Sequence, residues 1–533
     1  MVAVALLAVF VLLAVGCRKA DDKPKGADPA PKTGETGKQG GTTPEPEKKP
    51  AKTTMTVLLY GEPDTLDPIY SMGIPEKNIL VNVGEGLFTI SKNKEIKPVL
   101  AESYKVIDEL TWEFKLRPGI KFQNVQPLNA AAVKFNYERT QADAGKMNKW
   151  AGDINIKSIE VVDELTFRFH TTDPTPHMLA RIADDHYMME PSHVKSKTPE
   201  EVARQPIGTG AYKLKEWRAG DRVILEANEN YWGGKPTIKE IVFRFIPEEG
   251  TRIAELEKGN ADIVFKVSPD SIPLVEKIPT AKVLSGMGGR RVYLGIRNTP
   301  ENLPTAKKEV RQALNYGVNV ASIVKNILSD KAVRLLNPIL PPNQKPDLPK
   351  YEYDPEKAKQ LLAQAGYPNG FSVKLDAFLG ATLKDREFLQ AIVDDYRKIG
   401  VEVTLNIMEK AAFGQALKDR KNSELYLHTA GAGFDPALDV RNMRPDHPNN
   451  GHQFTPPEFL EGFEKIRTIV DPKLRQEWSY KLQDVMSDGA PWVFLWMEPE
   501  VYGVNKGLNG FTPQGDEHLR VFYPITGDII TLE

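Results

Sequence analysis

Apolar residues along this chain change their period several times, and each change predicts an element. Leu110, Trp112, Phe114 and Leu116 alternate with polar neighbours onto one face, and Pro118-Gly119 turns the chain before Ile120 and Phe122, as a strand and its exit would. YKLKEW and RVILEAN alternate in the same way across Ala219-Gly220-Asp221 and predict a hairpin. VIDELTWEF at 106–114 and VVDELTFRF at 161–169 are nearly one phrase, each reading as two strands joined by an Asp-Glu turn. The repeat is too short for a domain duplication, so it reads as two hairpins meeting the same local requirement. A helix is expected from Ala130 to Arg139 with Asn129 as its N-cap.

Farther along, IVFRFIPEEGTRIAELEKGNADIVF gives strand, helix, strand, with Ile253, Ala254 and Leu256 toward one side of the helix and Gly259-Asn260 at its end. So short a connection suggests a βαβ unit on a mixed sheet. Val310, Leu314, Val318, Ala321 and Val324 recur at helical spacing and predict one helix through EVRQALNYGVNVASIVKNIL. In YEYDPEKAKQLLAQAGYPNG, Asp354 caps a helix, Pro355 takes its first turn and Gly366 closes it.

Composition adds limits. The 533 residues have room for roughly three domains of the usual size, and 41% hydrophobic content with net charge -2 is ordinary for a folded chain. A pI near 6.5 with interspersed charge argues against a nucleic-acid partner, which selects a concentrated basic face. The single cysteine, Cys17, excludes an intrachain disulfide. No cofactor is expected. His170, His177, His186 and His193 are spread too far for compact metal-ligand spacing. GMGGRR at 286–291 lacks the Gly-Lys-Ser/Thr ending of a phosphate loop; Arg290 or Arg291 is there to meet an anionic ligand or simply to charge the surface. No Ser-His-acid arrangement announces itself, so an enzyme reading lacks its nucleophile and its base.

Val2 to Gly16 is an almost unbroken apolar run, short for a helix of about 20 residues that spans a bilayer, and Ala14-Val15-Gly16 places small residues before Cys17. This resembles a bacterial lipoprotein signal cleaved before Cys17, whose lipidated thiol would form a lipid anchor; an ordinary signal peptide or an uncleaved anchor is the alternative. Arg18 to Lys52 offers almost nothing to bury and is expected to be a disordered tether.

PIGTGAYKLKEWRAGDRVILEANENYWGG at 206–234 resembles the signature of the extracellular solute-binding proteins of family 5, the ligand carriers of peptide, nickel and oligosaccharide importers. TMTVLLYGEPDTLDPIY, GLFTISKNKEIKPVLAESYKV, RVYLGIRNT, YEYDPEKAKQLLAQAGYPNGFSVKL and APWVFLWMEPEVYGV extend the resemblance from about Thr53 to the end. It implies an α/β, two-lobed periplasmic-binding-protein fold of type II with an extra small lobe, its mixed sheets joined by two crossing segments. Residues 1–17 would be the lipoprotein signal peptide and 18–52 the tether; 53–86, 206–290 and 497–533 the main part of lobe I; 87–205 its extra subdomain; and 291–496 lobe II. The function implied is the substrate-binding component of an ABC importer, a monomer at the extracytoplasmic face of the membrane that closes on a peptide or peptide-like solute and passes it to the permease subunits. A periplasmic or surface hydrolase of peptides or cell-wall fragments, and a non-transport receptor or chaperone on the same fold, are the alternatives.

The same resemblance implies a cleft. One wall is expected at Met72, Gly73, Ile74, Phe265 and Lys266, the other at Gly431, Ala432 and Asp435, with Trp496 and Glu498 near the return crossing. Peptide-binding members place a Trp and an ammonium-binding Asp ahead of an acidic-Pro pair; aligned on Asp435-Pro436, those positions hold Thr429 and Ala432. Asp435 is therefore either a shifted ionic anchor or the cap of the turn that follows. Trp496 is either a stacking surface for ligand or a core residue.

Overall fold

The computed structural model describes residues 52–71, 73–142, 154–183 and 186–533. Met72, Cys17 and the tether segment up to Ala51 lie outside the described residues. Among those described, no helix is long and apolar enough to cross a membrane.

Thr54–Leu59 lies between two parallel partners, Glu240–Phe245 on one side and Ile263–Val264 on the other, so the strand–helix–strand segment straddles the first strand as a βαβ unit. The helix between them, Glu249–Glu257, buries Ile253 and Leu256 and is closed by Gly259 at φ 75°. The hairpin Tyr212–Arg218 and Arg222–Ala227, turned at Gly220, extends this sheet through antiparallel pairing with Glu240–Phe245. On the other flank two long strands, Ala281–Ile296 and Trp492–Asn505, pair antiparallel. Beyond them follow Leu425–Gly431, Phe371–Ala377 and Val401–Ile407. The two long strands thus serve both halves of one sheet. Near Ala281 they face a core built on Leu58, Leu256 and Val275, while Leu294 and Val493 pack with Leu375 and Leu427 at the other end.

The two repeated phrases are two hairpins of a separate four-stranded sheet, ordered Ala101–Asp108, Thr111–Leu116, Thr166–Thr171, Ile156–Val161. Thr111–Leu116 pairs with Thr166–Thr171, setting Trp112 opposite Phe169 and Phe114 opposite Phe167. The repeat therefore reflects one requirement: each phrase puts large aromatics at matched positions of a shared buried face. Helix Ala130–Ala142 starts where Asn129 Oδ1 accepts from the Ala132 N–H at 2.9 Å.

The signature segment has a packing explanation. Gly208 and Gly210 lie directly on the end of helix Ile74–Val83, where a Cβ on either would come well under 3 Å from a backbone oxygen of Val83 or Asn82. Downstream, the Tyr231 hydroxyl and the Trp232 Nε1–H both donate to the buried Glu85 carboxylate, at 2.6 and 2.8 Å. Burial pushes that carboxyl up to about 7, against the lowering effect of these two donors. One sequence expectation changes here: the apolar face from Val310 to Val324 is two helices, Lys308–Tyr316 and Val320–Asn326. Asn319 restarts the helix by accepting from the Ser322 N–H, a local side-chain bond that competes with continuous helix.

Candidate functional site

The site is built around an irregularity in the paired long strands. Met287 faces Pro499 and the next regular pair is Arg291 with Met497, so Gly288, Gly289 and Arg290 together oppose Glu498. Bulges of this kind re-aim side chains. Glycine is required twice: a Cβ on Gly288 would meet the Glu498 carbonyl, and one on Gly289 the Gly515 carbonyl, both far inside contact distance. Arg290 is thereby set against two carboxylates, with Nε 3.4 Å from Glu498 and Nη2 3.6 Å from Glu517. The other oxygen of Glu498 accepts from the Thr382 hydroxyl and the Leu383 N–H, both at 2.8 Å. Ala381 beside them packs on the Leu294–Leu375 core, whereas Leu519, next to Glu517, packs with Val57 and Phe243. Arg290 and Glu498 thus tie the two halves of the molecule at the crossing.

Tyr60, just past the carboxyl end of Thr54–Leu59, completes this group. Its hydroxyl is pushed up to about 12, first by burial and then by Glu517, with Glu76 and Glu498 adding and Arg290 opposing. The Lys266 ammonium lies 5.0 Å from the centre of the Tyr60 ring. Burial likewise raises Glu517, with Arg290 opposing and Glu498 adding. Glu500 is pushed up to about 7 by burial and by Asp516 and Glu517. Burial works against Asp516 too, but Arg520 at 2.7 Å and His518 at 3.3 Å hold it well below the usual range. Glu498 and Glu517 thus share one guanidinium at this end of the cleft, with the Lys266 ammonium beside them on Tyr60.

A separate cavity of about 600 Å³ is lined by Phe88, Tyr104, Leu179, Asn343 and Phe434, with Lys94 and Asp435 also in its lining. Lys94 and Phe434 both hold left-handed backbone, at φ 63° and 53°, as does Lys266 at 56°. Such geometry costs a non-glycine residue roughly 1–2 kcal/mol and concentrates at ligand clamps and switches. The Lys94 ammonium sits 4.4 Å from the Phe434 ring centre.

The expected site residues divide. Glu498 and Lys266 stand in the ionic group, and Gly73 and Ile74 open the helix that carries Glu76. A Cβ on Gly73 would collide with that Glu76 carboxylate, whose Oε1 accepts from the Asp64 N–H at 2.8 Å. Gly431 is opposite Arg290 in register, with open space where a Cβ would project, and the Ala432 N–H donates to Gly289 O at 2.6 Å. Asp435 lines the cavity but is already engaged: it accepts from the Ala437 N–H at 2.9 Å as an N-cap and takes a two-pronged ion pair from Arg475, both bonds 2.7 Å. Burial would raise its pKa, and the Arg475 charge more than offsets this and leaves it lowered.

Phe265 and Trp496 are core residues in this structure, the first edge-on to Tyr502 at 4.8 Å and the second edge-on to Phe388 at 4.8 Å with no exposed surface. Neither presents a face to a ligand here. Arg291, paired with Arg290 in the sequence reading, is buried on the carbonyls of Pro338, Asp439 and Gly431, each at 2.6 Å, so Arg290 alone of the two reaches the cleft. Tyr60, Glu76, Lys94, Phe434 and Glu517 escaped the sequence reading. Tyr60 had a usable signal, its place at the carboxyl end of a strand flanked by parallel partners.

Two lobes sharing one sheet through two crossing strands, with an ionic cleft at the crossing, define a protein that binds a solute between lobes. Residues 95–451 match the model of the bacterial extracellular solute-binding proteins, family 5 (middle). The chain belongs to this family. It is 27% identical over 461 residues to the glutathione-binding protein GsiB of Escherichia coli, covering 84% of this chain and 89% of that one. Among solved structures, HbpA2 from Haemophilus parasuis superposes with a TM-score of 0.79 at 24% identity, covering 90% of this chain and 100% of that one. DppA from Helicobacter pylori, solved with the peptide STSA, superposes at 0.74 and 24% identity, covering 91% and 98%. What these structures share with the chain is the type II two-lobed binding-protein fold.

Proposed function

We propose that this chain is the substrate-binding component of an ABC importer and that it captures a zwitterionic, peptide-like solute between its lobes. The observation that carries the ligand class is the Arg290 bulge, where Glu498 and Glu517 meet the guanidinium and Glu76 adds its charge at Tyr60, so that three carboxylates stand against Arg290 and the Lys266 ammonium. A ligand ammonium finds carboxylates there, in place of the anchor that the family's peptide binders carry where this chain has Ala432. The glutathione-binding and peptide-bound relatives support a ligand of this size and charge. Closure follows from differential affinity: a solute that touches both lobes shifts the open–closed balance toward the closed form, which the permease receives.

The same reading includes a lobe I of residues 53–86, 206–290 and 497–533 with its subdomain 87–205, a lobe II of 291–496, a monomeric state, and attachment through a lipidated Cys17 with the 18–52 segment as tether. Native mass spectrometry of protein purified from its own cells tests the ligand class. A retained mass that fragments as a short peptide or peptide conjugate is expected; retention of a sugar or a metal chelate instead would overturn it. Replacing Cys17 with Ser should release the protein from membranes on fractionation.

A further inference from the structure

We infer that Lys94 is the anchor for the ligand's carboxylate, and that the ligand's carboxyl-terminal residue lies in the cavity beside it; this rests on the peptide-like ligand proposed above. Lys94 stands in the tight turn between strands Phe88–Ile90 and Ile96–Pro98, where its N–H donates to Ser91 O at 2.8 Å. Its ammonium meets the ring of Phe434, also a lining residue of the cavity, and both residues hold left-handed backbone.

The ammonium there is short of an anion. It donates to Gln514 O and lies over the Phe434 ring, and among the described residues no carboxylate stands within ion-pair distance of it. Asp516 and Glu500 attract it from farther away, but Asp516 is held by Arg520 and His518, and Glu500 accepts from the Glu517 N–H at 2.6 Å and the Tyr502 hydroxyl at 3.2 Å. The two carboxylates that line the cavity are matched as well, Glu102 with Lys115 at 3.6 Å and Asp435 with Arg475 at 2.7 Å. Lys94 is thus the charged group of this cavity with capacity to spare, and burial disfavours its charged form until an anion arrives. The apolar walls, with Phe88, Tyr104, Leu179 and Phe434, select an aromatic or branched side chain next to that carboxylate.

The test compares a mixed tripeptide library with the same library made as carboxyl-terminal amides, each offered to the full-length protein, to Lys94→Gln and to Lys94→Arg, with retained masses read by native mass spectrometry and the retained peptides titrated by calorimetry. The unchanged protein should retain free acids ending in aromatic or branched residues, bind the matching amides about ten- to a hundredfold more weakly, and lose that preference in Lys94→Gln but not in Lys94→Arg. Retention of acids and amides alike, with Lys94→Gln unchanged, would overturn the carboxylate anchor while leaving the peptide-like ligand standing. Retention of neither library would overturn both. A melting temperature shared by the three proteins shows that any loss is one of binding.

Discussion

Two pairs of glycines in this molecule meet the same steric demand with opposite consequences. Gly208 and Gly210 lie against the backbone at the end of helix Ile74–Val83, inside the core that also holds Val57 and Phe243. Gly288 and Gly289 lie against the carbonyls of Glu498 and Gly515, at the crossing of the long strands. In the first case the partner belongs to the same core, and the close approach fixes a lobe. In the second the approach forces a bulge, and the bulge turns Arg290 onto Glu498 and Glu517. Glycine in a motif reports a close backbone approach; what is approached decides whether that approach serves stability or a site.

This contrast is sharpened first by alanine at each pair. Gly208→Ala should destabilise by about 3 kcal/mol or more in denaturant unfolding, since a Cβ pressed on backbone has no flexible neighbour to move, with ligand affinity intact in the protein that folds. Gly289→Ala meets a backbone oxygen at least as closely and should destabilise as well, but it should also weaken ligand affinity in the protein that folds; affinity left intact in both variants would erase the distinction. Next comes Asp435→Asn, which strands a nearly buried guanidinium. It should cost about 3 kcal/mol in unfolding free energy and leave calorimetric affinity for the retained ligand close to the original.

A pH series is the third test. The Glu500 carboxyl is pushed from 4.5 to about 7 in the folded state, so its protonated form favours folding; that contribution is full below about pH 4.5 and is lost as pH rises through about 7. Glu500→Gln removes the titration, and its stability relative to the unchanged protein should improve by on the order of 2 kcal/mol between pH 5 and pH 8. A constant difference across that range would mean that the crossing carries no such strain. The smallest effect is expected from Lys384→Ala, which removes a partly exposed pair with Asp270; stability should fall by no more than about 1 kcal/mol, and less at high salt.

The sequence made the fold legible where one element carried its own pattern. The hairpin at Gly220, the βαβ unit around Glu249–Glu257 and the Asp354 cap were all written within short windows. The 310–324 helix was misread because its apolar spacing continues across Gly317 while the Asn319 cap does not show in a periodicity. The site was harder to read because its members come from segments hundreds of residues apart. Lys94 meets Gln514, and Tyr60 meets Arg290 and Glu517, only through the crossing strands. Lys266 and Phe265 are neighbours just past strand Ile263–Val264, one reaching Tyr60 and the other the core, whereas Trp496 and Glu498 stand two residues apart on one strand and are separated by the irregular pairing opposite Glu498, which strand alternation does not reveal.

A solute held between the lobes should draw them together at the Arg290 bulge. Small-angle scattering of the full-length protein, with and without a ligand recovered from its own cells and shown by calorimetry to bind, measures this. A smaller radius of gyration on ligand addition is the expected result, diminished in Gly289→Ala; an unchanged radius at saturating ligand would contradict capture by closure.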